Sequence, residues 1–267
     1  MRQCVVDLRG AGTIPGTSDR QRLDGKVAII TGANGVIGGA TARLFLDLGA
    51  KVMLTDLEAP EILAQTCAAM AADSTDEAGT KALVAATVER FGKLDIVIAN
   101  AGIEGTLKPL EQLSFAEFEQ VLRVNVLGAW LAIKHAVPAL RANGSGSIVA
   151  LSSVAGTIGF PGATAYTASK HAVFGLVRSA ALELATANIR VNAVAPGPIE
   201  SRMMQSLCDQ LGGADPSGFR TFLEGTVPMR RYGTSDEIAH LLAFLASDSA
   251  SYCTGGLYLA DGGYVAG

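Results

Sequence analysis

The chain has 267 residues, of which 49% are hydrophobic and 17% are charged, and its net charge is −4. This length fits one globular domain, and the high apolar fraction excludes a mainly disordered chain. A net negative charge offers no basic surface for nucleic acid or an anionic membrane, so we expect small molecules and protein subunits as partners.

The first residues of the chain, 1–21, carry Gly, Pro, Ser, Thr and Arg without periodicity and without a long apolar run. We expect this stretch to be a flexible N-terminal arm, not a secretion signal. The four cysteines and three histidines are scattered, without the recurrent spacing of a metal site or a disulfide framework. We therefore expect no metal, and a reducing, cytoplasmic environment.

From residue 22 to 267, short β-branched runs alternate with stretches of helical period, and no linker or repeat divides them. Strands are predicted at Val27–Thr31, Lys51–Thr55, Cys67–Ala72, Leu94–Ala99, Ser147–Ser152, Arg190–Ala195 and Leu257–Leu259. Helices are predicted at Gly38–Leu48, Pro60–Gln65, Glu77–Phe91, Phe115–Leu140, Ala165–Ala185, Ser201–Leu211 and Ser235–Ala246. Apolar strands separated by helices are typical of a parallel sheet covered on both faces. The pattern predicts a single α/β domain with a doubly wound sheet of about seven strands.

The stretch Pro196–Gly233 is the longest irregular region of this pattern and carries several Gly and Pro residues. Long connections of this kind are often lids or binding loops, so we predict a substrate loop at about residues 196–233. A plain surface excursion is the alternative.

A Gly-rich stretch, Thr31–Gly38, follows the first predicted strand and opens the first helix. Glycines there allow a tight turn and a close approach of the backbone to a pyrophosphate, which the helix N-terminus attracts. This position favours a dinucleotide site, although a purely structural turn is the alternative reading.

An acidic residue, Asp56, follows the second predicted strand. A carboxylate at this tip accepts hydrogen bonds from the adenosine ribose, whereas the 2′-phosphate of NADP would meet like charge. Neither Asn34 nor Leu57 is a cation that could pair with that phosphate. The residues favour NAD as the cofactor; a turn or capping role for Asp56 is the alternative.

Tyr166 and Lys170 stand four residues apart on a predicted helix, after a strand that ends in Ser152 and Ser153. Side chains at i and i+4 share a helix face, so the ammonium can stabilise a phenolate and draw the tyrosine pKa towards the working pH. Ligands of open α/β sheets bind at this carboxyl edge, which favours a catalytic pair over a chance spacing.

Several motifs in order resemble the short-chain dehydrogenase/reductase family, from about Leu23 to Gly267. They are Thr31–Gly38, Asp73–Asp76, Asn100–Gly102, Val124–Val126, Leu151–Ser153, Tyr166 with Lys170, Arg190–Asn192, Pro196–Gly197 and Asp261–Gly263. The resemblance implies a Rossmann-type fold and an NAD-dependent enzyme that interconverts a secondary alcohol and a ketone by hydride transfer.

The resemblance also implies roles for individual residues. Tyr166 would be the general acid/base, and Lys170 would tune its pKa and bind the nicotinamide ribose. Ser153 would orient the substrate oxygen, and Asn125 would hold a water that links Lys170 to solvent. Cofactor contacts are implied for Gly32, Asn34, Gly35, Val36, Ile37, Asp56, Leu57, Asp73, Ser74, Asn100, Ala101, Gly102, Tyr166, Lys170, Pro196, Gly197, Ile199 and Ser201.

A mostly apolar substrate pocket is expected, which favours a hydrophobic, cyclic or aromatic substrate, although Glu104 could meet a polar group. Its walls are predicted from Ser153, Val154, Ile158, Phe160, Tyr166, Met203 and Met204. The nearly all-apolar helix Ala172–Ala185 predicts contacts between subunits, and the family resemblance implies a homotetramer.

Two departures from the family pattern stand out. Val36 occupies the place of the usual second glycine, and we expect a shifted turn that still exposes the helix N-terminus. The short interval between Asp56 and Asp73 predicts a short connecting helix. A non-catalytic dinucleotide-binding or scaffold protein, or a nicotinamide-free lyase or dehalogenase on the same fold, are the alternatives.

Overall fold

A computed structural model describes residues 21–266. Its strands are β1 Val27–Thr31, β2 Lys51–Asp56, β3 Cys67–Ala71, β4 Ile96–Ala99, β5 Gly146–Leu151, β6 Ile189–Pro196 and β7 Leu257–Ala260. Its α-helices are α1 Val36–Asp47, α2 Glu77–Phe91, α3 Phe115–Leu122, α4 Gly128–Asn143, α5 Thr164–Leu184, α6 Arg202–Gly212, α7 Pro216–Thr226 and α8 Ser235–Ala246.

The seven strands form one sheet in the order β3-β2-β1-β4-β5-β6-β7, and every neighbouring pair is parallel. This confirms the predicted doubly wound α/β fold. The chain winds outwards from β1 to β3 and then returns to place β4 on the other side of β1. Such a reversal opens a crevice at the carboxyl ends of β1 and β4, where α/β folds bind their ligands.

The hydrophobic core lies in two layers, one on each face of the sheet. On one face, α1 and α8 pack together over residues such as Ile30, Val52 and Val194. On the other, α4 and α5 cover residues such as Ile29 and Ile148. Burial of these aliphatic side chains on both faces explains why the strands are almost continuously apolar.

The predicted helix Pro60–Gln65 is wrong, because residues 57–66 run from β2 to β3 without a helix. A helix of six residues would leave most of its N–H and C=O groups without intrahelical partners. The connection is short, as predicted, but it is irregular and not helical.

The predicted helix Phe115–Leu140 is interrupted, since α3 and α4 are separated by a π-helical segment, Arg123–Leu127. A wider turn of this kind often accompanies a functional residue, and Asn125 lies at its centre.

The predicted irregular loop, residues 196–233, contains two helices where only one was predicted. Asp215 caps the additional helix α7 by accepting a hydrogen bond from the backbone N–H of Gly218, and Pro216 occupies its first turn. An acidic cap followed by proline is a typical start signal of a helix.

The predicted N-terminal arm lies outside the described residues except for the exposed Gln21. Within residues 21–266, no helix has the length and apolar character needed to cross a membrane. The same part of the chain holds no group of three or more His, Cys, Asp or Glu side chains that could bind a metal ion.

Adjacent glycines in α1 provide a test of the α1–β1 packing. A Cβ atom on Gly38 would lie 2.3 Å from the carbonyl oxygen of Gly32, whereas the nearest atom to a Cβ on Gly39 would be 3.5 Å away. We predict that Gly38→Ala lowers the free energy of unfolding by about 1–3 kcal/mol through overpacking. The matched control Gly39→Ala should raise it by up to about 1 kcal/mol because alanine favours helix. Urea denaturation measures both, and equal effects would contradict the packing argument.

Candidate active site

A cavity of about 910 Å³ opens at the carboxyl ends of β1, β2 and β4, in the expected crevice. This volume falls within the range of small-molecule and cofactor sites. Thirteen of the residues predicted to bind the cofactor line it: Gly32, Asn34, Gly35, Val36, Ile37, Asp56, Leu57, Asp73, Ser74, Asn100, Ala101, Gly102 and Ser201.

The floor of the cavity depends on a close contact between the ends of β1 and β4. Gly32 adopts a positive φ of 65°, and a Cβ there would lie 2.9 Å from the Cα of Ala101. The side-chain amide of Asn100 donates to the carbonyl oxygens of Thr31 and Gly32, at 2.9 Å each. These bonds hold the Gly-rich turn against the neighbouring strand.

The first turn of α1 borders the cavity. The helix begins directly at Val36, with the extended residue Gly35 as its N-cap and no side-chain capping bond. The Val36 side chain is 43% exposed. Because the first N–H groups of a helix have no intrahelical acceptor, this end of α1 offers donors to an anionic group. The arrangement fits a bound pyrophosphate.

The carboxylate of Asp56 is held in place at the tip of β2. Its Oδ2 accepts a hydrogen bond from the backbone N–H of Asn34 at 2.9 Å, and its Oδ1 accepts one from the N–H of Leu57 at 2.8 Å. Each oxygen retains a further lone pair, so the anchored carboxylate can still accept bonds from a ligand in the cavity.

The predicted catalytic residues come together where β5 meets α5. Ser153 follows β5 and caps a short turn, while Tyr166 and Lys170 lie on α5. The Lys170 ammonium is buried and donates to the carbonyl oxygen of Leu151 at 2.8 Å. The neighbouring Ser152 hydroxyl donates to the carbonyl oxygen of Lys170 at 2.9 Å. The end of β5 and helix α5 thus each donate one hydrogen bond to the other.

Asn125 is buried in the π-helical segment and all its polar atoms have partners. Its Oδ1 accepts from the N–H of Ile103 at 2.8 Å, and its Nδ2 donates to the Ile103 carbonyl and to the Ser169 hydroxyl, both at 2.9 Å. These contacts connect the loop after β4 to α5 beside Lys170.

Burial controls the protonation of the tyrosine–lysine pair. It raises the pKa of Tyr166 to about 12, a shift that the Ser153 hydroxyl opposes and the Glu104 carboxylate reinforces. Burial also lowers the pKa of Lys170 to about 8. The sequence predicts a lowered tyrosine pKa, but in the chain alone it is raised, because the loss of solvation outweighs the hydrogen bond with Ser153. The Lys170 Nζ lies 5.5 Å from the centre of the Tyr166 ring.

Five of the eighteen residues predicted to bind the cofactor do not line this cavity. They are Tyr166, Lys170, Pro196, Gly197 and Ile199. Ser201 does line it, and it also caps α6 by accepting a hydrogen bond from the N–H of Met204 at 3.1 Å. Of the loop between β6 and α6, Ser201 therefore forms part of the cavity wall.

The predicted substrate residues occupy different surroundings. The Met203 sulfur is 4.0 Å from the Tyr166 hydroxyl, and Val154 is buried beside Ser153. Ile158 is 37% exposed, while the Phe160 ring stacks on Tyr264 at 6.0 Å between ring centres.

Sequence reasoning missed two polar contacts on this side of the site. Arg202 lines the cavity and forms an ion pair with Glu104 at 3.2 Å, and Gln210 accepts a hydrogen bond from the N–H of Leu107 at 2.9 Å. These partners are about a hundred residues apart, so no local pattern could reveal them.

A family model described as Enoyl-(Acyl carrier protein) reductase matches residues 32–265. Levodione reductase of Leifsonia aquatica is 38% identical over 94% of this chain and 98% of its own length. The chain belongs to the short-chain dehydrogenase/reductase family. It is an oxidoreductase of that family.

Further dehydrogenases and reductases are similar to this chain in sequence or in structure. Cis-4-hydroxycyclohexanecarboxylate dehydrogenase of Sinomonas cyclohexanicum is 37% identical over 90% of this chain and 97% of its own length. A crystal structure of levodione reductase has a TM-score of 0.87 at 36% identity and covers 92% of this chain and 99% of that one. NAD⁺-bound xylitol dehydrogenase has a TM-score of 0.85 at 33% identity, with 90% and 99% coverage.

Proposed function

We propose that this short-chain dehydrogenase/reductase uses NAD to interconvert a secondary alcohol and a ketone, on an apolar or cyclic substrate. The observation that carries the proposal is the convergence of Ser153, Tyr166 and Lys170 where β5 meets α5, beside a cavity that fits a dinucleotide. The names of the relatives agree with it, since one of them acts on a hydroxylated cyclohexane ring.

The proposed proton transfer runs through the Tyr166 hydroxyl. In alcohol oxidation the phenolate accepts the hydroxyl proton while hydride leaves the carbinol carbon; in ketone reduction the phenol donates that proton. A bound nicotinamide ring supplies the hydride acceptor or donor. Ser153 hydrogen-bonds the substrate oxygen, and this bond strengthens as negative charge develops there.

Lys170 and Asn125 support this chemistry in the proposal. The Lys170 ammonium lies close enough to the Tyr166 ring to favour the phenolate, and its cationic form dominates at neutral pH. The bonds of Asn125 to Ile103 and Ser169 support a positioning role between the cofactor loop and α5. Its predicted water relay to solvent stays a prediction.

The preference for NAD over NADP is proposed from the anchored carboxylate of Asp56. Two backbone N–H groups hold it at the tip of β2, so a 2′-phosphate bound at this tip would meet its negative charge. Like charges brought together in this way are strongly disfavoured.

The predicted homotetramer is also part of the proposal. Trp130 on α4 and Leu182 on α5 are 41% and 82% exposed in the single chain, and a second subunit would cover them. The cytoplasmic location stays a prediction, with which the free cysteines Cys67, Cys208 and Cys253 are compatible.

Calorimetric titration with NADH and NADPH tests the cofactor. We expect NADH to bind at least roughly 100-fold more tightly, because a carboxylate beside the 2′-phosphate costs several kcal/mol. Asp56→Ser should reduce this preference by about tenfold or more. Glu58→Gln, which removes an exposed carboxylate two residues away, is the matched control and should retain it. Equal affinity for both cofactors would refute the argument, and no binding would favour the nicotinamide-free alternatives.

Removal of the Tyr166 hydroxyl tests the catalytic assignment. Tyr166→Phe should lower kcat at least about 100-fold, since it eliminates the acid/base group, while NADH affinity stays within about threefold. NADH formation from a panel of cyclic secondary alcohols provides the assay. Tyr252→Phe alters a fully exposed tyrosine and serves as the control. Turnover by Tyr166→Phe at the wild-type rate would overturn the assignment.

Light scattering on the purified protein tests the assembly. We expect a particle with four times the mass of one chain, as the family resemblance implies, in which subunit contacts cover the exposed apolar side chains of α4 and α5. A clean monomer would contradict the proposed tetramer.

A further inference from the structure

Glu104 places a buried carboxylate in the loop after β4. It follows Ile103, whose backbone is held by Asn125, and only 8% of its surface is exposed. One of its oxygens, Oε1, receives a hydrogen bond from Arg202 at 3.2 Å. The Arg202 side chain itself is 76% exposed, so the pair joins a buried anion to a cation that remains in solvent.

This ion pair borders the place where chemistry is proposed to occur. Arg202 lines the cofactor cavity, and the next residue, Met203, contacts the Tyr166 hydroxyl. Glu104 lies within electrostatic range of Tyr166. Of the pair, Arg202 lines the cavity, and Glu104 is joined to it there by a hydrogen bond. A substrate whose oxygen meets Tyr166 would lie beside this pair.

A purely structural role explains this pair poorly. Attachment of α6 to the loop after β4 is already provided by Gln210, which accepts from the N–H of Leu107 and donates to the Gly105 carbonyl. An ion pair with a largely exposed arginine contributes little to stability, whereas burial of the Glu104 carboxylate is unfavourable. The cost of burying this anion is more readily explained by recognition of a ligand.

We propose that Glu104 and Arg202 together bind a second hydroxyl group of the alcohol substrate. A hydroxyl donates one hydrogen bond and accepts others, so it can donate to the carboxylate and accept from the guanidinium at once. An ether or carbonyl oxygen would satisfy only Arg202, and a carboxylate would be repelled by Glu104. The inference rests on the proposed alcohol–ketone function and specifies the substrate class as diols and hydroxyketones.

Binding of three cyclic alcohols to the protein–NADH complex tests this directly, since the complex cannot oxidise them. Cyclohexanol, cyclohexane-1,4-diol and 4-methoxycyclohexanol are titrated by calorimetry. The methoxy compound offers an acceptor to Arg202 but no donor to Glu104. We expect the diol to bind about tenfold or more tightly than either of the others, as hydrogen bonds to charged groups contribute strongly.

Two variants and a control assign that preference to the pair. Glu104→Gln and Arg202→Met should each reduce the preference for the diol to about threefold or less. Glu111→Gln, which changes an exposed glutamate near the same loop, should keep it. Arg202→Met alters a mostly exposed side chain and therefore keeps the test valid if Glu104→Gln fails to fold.

The outcomes separate this inference from the function on which it rests. Equal binding of the three compounds to the wild type, or an unchanged diol preference in both variants, would overturn it. A proportional loss of affinity for all three in the variants would indicate a structural role and overturn it as well. Turnover is measured separately, as NADH formed from NAD⁺ and each alcohol. Diol-selective binding without NADH formation would contradict the proposed alcohol oxidation but would still support binding of a hydroxyl group by Glu104 and Arg202.

Discussion

The close approach of α1 to the ends of β1 and β4 is the constraint on which the cofactor cavity depends. Gly38 leaves no space for a side chain between the helix and the Gly32 carbonyl, and Gly32 leaves none between β1 and Ala101. The side-chain amide of Asn100 then donates hydrogen bonds to the Thr31 and Gly32 carbonyl groups and fixes this packing. The helix N-terminus, the floor of the cavity and the start of the loop after β4 are all positioned by this contact.

The second half of the site is organised around a buried charge. The buried Lys170 ammonium donates a hydrogen bond to the Leu151 carbonyl oxygen. Burial lowers the pKa of Lys170 to about 8 and raises the pKa of Tyr166 to about 12. In the chain alone, desolvation therefore favours the neutral form of both groups. A cationic group bound beside the tyrosine, such as an oxidised nicotinamide, would add to the effect of Lys170 in favouring the phenolate.

The two halves are joined by the π-helical segment. Because this segment is wider than an α-helix, Asn125 points its amide at the Ile103 backbone and at Ser169 on α5. The same loop carries Glu104, which faces α6 through Arg202. The loop after β4, α5 and α6 thus meet within one connected set of polar contacts, which couples the position of each to the others.

The sequence by itself determined the parallel α/β architecture, the seven strands, and thirteen of the residues that line the cavity. These features depend on local patterns: apolar runs bounded by helices, a Gly-rich turn after a strand, and Tyr166 and Lys170 one helical turn apart. The position of Asp56 at the tip of β2 could also be predicted, because the end of a strand is a local property of the sequence.

Only the tertiary structure decided the features that depend on distant partners. Residues 57–66 form no helix, since so short a segment gains few internal hydrogen bonds. The pKa shift of Tyr166 follows from burial by several elements, which spacing along one helix does not reveal. The Glu104–Arg202 pair joins two loops far apart in the chain. Local propensity acts over a few residues, whereas desolvation and ion pairing depend on which segments the fold brings together.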